Sequence, residues 1–154
     1  VGYNLEGNEL GAAFGLAQLE KLQKNIDTRQ ANFKRQCEFF NQYSAYFSNP
    51  QETRGCNTAW LAFPILITKD APFTRKEFQI FLEKRNIQTR VVFTGNILRQ
   101  PMCKNITKKV LDEGYPNSDD VMARGVLLPL HHGLTEDMFS RFQATVSEFI
   151  ITHC

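Results

Sequence analysis

The sequence has no tract of basic residues, no long apolar run and no close pair of cysteines, and each absence removes a class of function. Lys and Arg number 18 against 16 Asp and Glu, a formal charge of only +2. With no cluster of basic residues to form a stripe, a nucleic-acid partner is not expected. No stretch approaches the roughly 18 consecutive apolar residues of a membrane-spanning helix, and the N-terminus lacks a charged-then-apolar leader. No membrane partner is expected, and a cytoplasmic location is. The four cysteines, Cys37, Cys56, Cys103 and Cys154, are widely and irregularly spaced, with no CxxC. Three histidines add no finger-like pattern, so the expectation is reduced thiols and no metal site. Glycine-rich phosphate loops, HExxH and GxSxG are absent too, which leaves no local signature of catalysis. The chain does not begin with Met, and a fragment or processed form is expected.

What is present describes one folded unit. Apolar residues make up 42% and charged residues 22% of 154, ordinary for a globular domain of this size. One long helix is predicted from Asn8 to about Phe47, with a break near Asp27-Thr28 and an end at Ser48-Asn49-Pro50. Leu10, Ala13, Phe14 and Ala17 follow helical spacing, and Leu16, Leu19, Leu22 and Ile26 widen the stripe. A helix apolar over so much of its girth is expected to be buried against two surfaces. Thr58 to Thr68 reads as a strand, with Pro64 marking an edge or a bulge. Thr74 and Glu77 form a capping box before a helix at 75–84. A strand follows at 89–93, an ordered loop at 95–105, a short helical piece at 106–112 and a short helix capped by Ser118. Gly125 leads into a strand at 126–130, and Thr135 caps a final helix. Helices against a small, mainly antiparallel sheet make an α+β domain in two layers, spanning 1–154.

The segment Gln88–Pro101, QTRVVFTGNILRQP, holds the densest chemistry. A β-branched run ends at Thr94-Gly95-Asn96 between Arg90 and Arg99. Two guanidiniums beside a turn suit a planar anion, since arginine presents a rigid donor fork, but surface ion pairing suits them equally. His131 and His132 follow Pro129 at a strand end, where neighbours point to opposite faces, so at most one faces a site with ease. A hydrogen-bonded turn residue and an acid–base group are both open for them, and Asn4 by itself reads as a cap or turn residue.

Two stretches together carry a resemblance: GYNLEGNELGAAFGLAQLEKL at the start, and the QTR strand with its GNILRQP loop. With the closing GVLLPLHHGLTEDMF, they make nearly the whole chain similar to the C-terminal part of the DegT/DnrJ/EryC1/StrS family of pyridoxal-phosphate-dependent sugar aminotransferases and dehydrases. The resemblance implies the small C-terminal domain of a type I aminotransferase-like fold, with the cofactor's large domain upstream. It implies pyridoxal or pyridoxamine 5'-phosphate in the full-length enzyme, which is expected to be a homodimer, and a nucleotide-linked 4-keto-6-deoxy sugar as substrate. By motif, Asn4 would reach the phosphate of the partner's cofactor. Arg90 would face the substrate, Gln88 stands where some dehydrases carry an acidic residue, and Asn96 and Arg99 would shape the same rim. The His131-His132-Gly133 turn would approach the sugar side. No catalytic residue is expected within the chain, because the Schiff-base lysine, or the histidine that replaces it in dehydrases, would lie upstream. The chain alone is expected to be inactive and to bind no cofactor.

Two functions are therefore in view. One is part of a sugar aminotransferase or 3-dehydrase in bacterial surface-polysaccharide or deoxysugar biosynthesis. The other is a stand-alone, non-catalytic binding module that reuses the fold.

Overall fold

A computed structural model describes residues 7–154. Among them lie five α-helices and one four-stranded antiparallel sheet of order β1-β2-β4-β3. The helices are α1 (Glu9–Leu19), α2 (Leu22–Asn41), α3 (Arg75–Glu83), α4 (Pro116–Arg124) and α5 (Glu136–His153). The strands are β1 (Phe47–Ser48), β2 (Phe63–Ile67), β3 (Arg90–Val91) and β4 (Gly125–Leu128).

Side-chain alternation builds the two layers. Phe63, Ile65 and Ile67 of β2 are buried, and Phe63 and Ile65 stand opposite Leu128 and Val126 of β4, which are buried with them. Against that face pack Phe40 of α2, Phe78 and Leu82 of α3, and Phe142, Val146 and Phe149 of α5. Much of the core is phenylalanine in edge-to-face or tilted pairs, such as Phe73 against Phe149 at 4.8 Å and Phe40 against Phe47 at 5.1 Å. Trp60 lies flat on Phe33, with centroids 4.3 Å apart, and covers one end of the core.

The α+β class and the antiparallel sheet match the sequence reading, while several boundaries move. The helical break falls at Glu20-Lys21, where the Lys21 N–H turns back to the Gln18 carbonyl. Asp27 and Thr28 stay helical because Gln23 donates to Asp27 at 2.8 Å and the Thr28 hydroxyl donates to the Lys24 carbonyl. The second helix stops at Asn41 rather than Phe47, because Phe47 is drawn into the sheet opposite Ile67. The 58–68 strand contracts to β2, with Pro64 paired to Leu127 and β1 reaching only Leu66 and Ile67 on its other side. No helix forms at 106–112, where Ile106, Val110 and Leu111 are exposed and nothing packs on a stripe. Pro116 begins α4, ahead of the expected Ser118 cap, since its fixed φ suits a first helical position. β4 ends before Pro129, which has no N–H for the ladder. The expectation that the first helix is buried fails for the described chain: no residue of α1 is buried, and Leu10 is 86% exposed. The capping box at Thr74 and Glu77 and the Thr135 cap are both formed. No described helix is long and apolar enough to cross a membrane.

Candidate functional site

A cleft of about 510 Å³ opens where β3 and the end of β4 meet the first turns of α5. That size suits a small organic ligand, whose pockets run from about 300 to 1,000 Å³. Its walls are mostly apolar, with Leu128, Leu130, Leu134, Phe139 and Phe142 among them. The polar groups converging on it include Gln88, Arg90, His131 and Arg141, and among the described residues no acidic side chain is in the lining.

Strand alternation puts Gln88 and Arg90 there. Thr89 between them turns inward, where its N–H and hydroxyl both donate to Glu83 Oε1, at 2.6 and 2.9 Å, and Gln79 donates to its hydroxyl. With Thr89 locked to α3, its two neighbours face the opposite way and stay exposed. Arg90 makes no ion pair among the described residues, so its donor fork is free.

On the other wall, α2 holds the chain after β4. Gln36 donates to the Pro129 carbonyl at 3.3 Å, and Asn32 donates to the His131 carbonyl at 3.2 Å. The Gly133 N–H donates to His131 Nδ1 at 3.1 Å and closes a tight turn that sets the imidazole against the cleft. His132, the next residue, is exposed and does not line the cleft.

Asn96 and Arg99 belong to a neighbouring cluster. After β3 the chain passes through Phe93 and Gly95, both with positive φ, at 48° and 66°. Gly95 lies so close to α4 that a Cβ there would stand 2.3 Å from the Met122 Cβ, so only glycine fits. That approach brings Asn96, 5% exposed, within 2.9 Å of Asp119, while its own Oδ1 accepts from the Leu98 N–H. Arg99 grips the same carboxylate in bidentate fashion, at 2.9 and 2.6 Å. These bonds, first the Arg99 guanidinium and then the Asn96 amide, hold the Asp119 carboxyl down at about 2, and the Arg99 guanidinium is raised in turn. Arg99 is therefore neutralised by a described residue, while Arg90 is not. Sequence reasoning missed Asp119 and Arg141. Asp119 lies 20 residues from Arg99, and Arg141 is one charge on a solvated helix turn, so neither carries a local signal. Asn4 lies outside the described residues.

The groups present fit an acceptor-rich ligand better than a pyridoxal cofactor. No lysine lines the cleft, so the described residues bring no amine to it for a Schiff base.

Known proteins place this geometry. The chain is 31% identical over 149 residues to lipopolysaccharide biosynthesis protein RfbH of Salmonella typhimurium, covering 97% of this chain and 34% of that protein. It is 35% identical to dTDP-4-dehydro-2,6-dideoxy-D-glucose 3-dehydratase of Saccharopolyspora spinosa, covering 97% of this chain and 32% of the enzyme. Among solved structures it resembles E. coli GDP-4-keto-6-deoxy-D-mannose-3-dehydratase with bound hydrated PLP, with a TM-score of 0.82 at 25% identity. The match covers 94% of this chain and 36% of that one. This chain thus spans about a third of the length of the curated relatives it matches. The family's own model runs over residues 1–147, through the free-arginine strand, the Asn96 loop and the histidine turn alike, and the chain belongs to the DegT/DnrJ/EryC1/StrS aminotransferase family.

Proposed function

We propose that this chain is the C-terminal small domain of a pyridoxal- or pyridoxamine-phosphate-dependent enzyme acting on a nucleotide-linked 4-keto-6-deoxy sugar. Within that class the 3-dehydrase reaction is favoured over amino transfer. The single observation that carries the reading is that Gln88 and Arg90 line one cleft where, among the described residues, Arg90 has no ion-pair partner and no carboxylate is present. A guanidinium with a free fork binds and orients a sugar hydroxyl or a phosphate oxygen, and apolar walls strengthen that contact by excluding water. Relatives named as 3-dehydratases support the choice of reaction.

In this reading the electron sink belongs to the cofactor, held outside the described residues. Arg90 and Gln88 orient the sugar, and the Asn96–Arg99–Asp119 cluster fixes the loop beside β3. Asn4 would donate to the phosphate of the partner's cofactor in a homodimer. The setting is bacterial surface-polysaccharide or deoxysugar synthesis in the cytoplasm.

The test uses the full-length natural protein with pyridoxamine 5'-phosphate and GDP-4-keto-6-deoxymannose or its dTDP-glucose-derived counterpart. Loss of the 3-hydroxyl, strongly reduced in Arg90→Ala at unchanged thermal stability, supports the proposal. Amino transfer from glutamate without dehydration would replace the dehydrase by the transaminase. Failure to retain any cofactor or turn over either sugar would leave the non-catalytic binding module.

A further inference from the structure

We propose that His131 is a hydrogen-bond donor of fixed tautomer, presenting Nε2–H to an oxyanion of the ligand's diphosphate; this rests on the reading of the cleft as a nucleotide-sugar site. A backbone N–H can only donate. Because Gly133 N–H points at His131 Nδ1 from 3.1 Å, that nitrogen must hold its lone pair toward it and carries no proton. In the neutral ring the proton is then confined to Nε2, which has no protein partner among the described residues.

The surrounding bonds keep the ring in place. Asn32 and the Leu134 N–H both donate to the His131 carbonyl, each at 3.2 Å, so the backbone cannot swing away. A Cβ on Gly133 would stand 3.2 Å from Nδ1, a tight contact that would push the imidazole aside by a few tenths of an ångström. Arg90 and Arg141 also line the cleft, and with no carboxylate there among the described residues its charged side chains are both cationic. A diphosphate offers many acceptors and no donor. His131 adds a neutral, directional contact beside the charge of Arg90.

Two measurements decide it, the first on this chain and the second on the full-length natural protein. Long-range ¹⁵N NMR of the neutral ring should show His131 with an unprotonated Nδ1 and a protonated Nε2. A protonated Nδ1 overturns the inference whatever the cleft binds. Calorimetric titration with GDP-mannose and dTDP-glucose then tests the contact. His131→Ala should bind about threefold to tenfold more weakly, the fold-change of one net hydrogen bond. His131→Gln should recover most of the loss, since its amide N–H reaches where Nε2–H stood. Weakened binding in Arg90→Ala but none in His131→Ala would overturn the role of His131 and leave the cleft reading standing. No binding of either sugar by the unaltered full-length protein would overturn both.

Discussion

The first and last helices begin alike and end in opposite environments. In α1 the Asn8 side chain caps the Gly11 N–H at 2.7 Å; in α5 the Thr135 hydroxyl caps the Met138 N–H at 3.3 Å. Both are rich in apolar residues. Yet α5 buries Phe139, Phe142, Val146, Phe149 and Ile150, while α1 buries nothing and leaves Leu10, Phe14, Leu16 and Leu19 at 62% exposure or more. The difference lies in pattern. The α5 apolar residues recur every three or four positions and form one stripe, opposite charges such as Asp137 and Glu148. Those of α1 wrap its whole circumference, and no other described element covers them. Local signals start a helix; a facing surface decides whether it is buried. Apolar patches of the α1 kind mark contact surfaces.

The comparison can be broken most decisively at Phe149. It is fully buried against Phe73, Phe78 and Phe81, so Phe149→Ala should cost about 3–5 kcal/mol in chemical denaturation. A loss below about 1 kcal/mol would mean that α5 is not the core helix described. Removing the cap is a smaller insult: Thr135→Ala should lower stability by about 1 kcal/mol, read by the same denaturation. Acid separates the kinds of contact further, because the apolar stripe of α5 does not titrate whereas the loop after β3 hangs on Asp119. The Asp119 carboxyl lies at about 2, below its ordinary 3.8, so its contribution is complete above 3.8 and is lost as pH falls through about 2. NMR signals of Asn96 and Arg99 should hold at pH 4 and move only nearer pH 2; in Asp119→Asn that transition should vanish. Signals that already titrate near 3.8 would show the triad open in solution. The smallest effect is expected at Phe14, 67% exposed. Phe14→Ser should change stability by no more than about 0.5 kcal/mol while reducing self-association in analytical ultracentrifugation. A loss matching that of Phe149→Ala would erase the contrast between the two helices.

Much of the fold was legible because it rests on short-range chemistry. The Thr74–Glu77 capping box, the Thr135 cap and the turn around Gly95 depend on residues within a few positions of one another. Phe47 was misread because its partner is distant: it reads as helix until Ile67 takes it into the sheet. Asp27-Thr28 was misread for a local reason, since side-chain bonds to Gln23 and Lys24, four residues back, keep two poor helix formers helical. Among candidate site residues, Gln88, Arg90 and His131 meet at one cleft, while Asn96 and Arg99 meet on Asp119 instead.

The sequence by itself determined the class, the family resemblance and the Thr74 and Thr135 caps, since each is written in neighbouring residues or in motifs. Only the tertiary structure decided which arginine stays free. Arg90 and Arg99 are alike in sequence, flanking one turn, and differ because Gly95 lets that turn lie against α4, where Asp119 waits for one of them. A charge is neutralised by what folding brings within about 4 Å of it, and no local pattern records that distance.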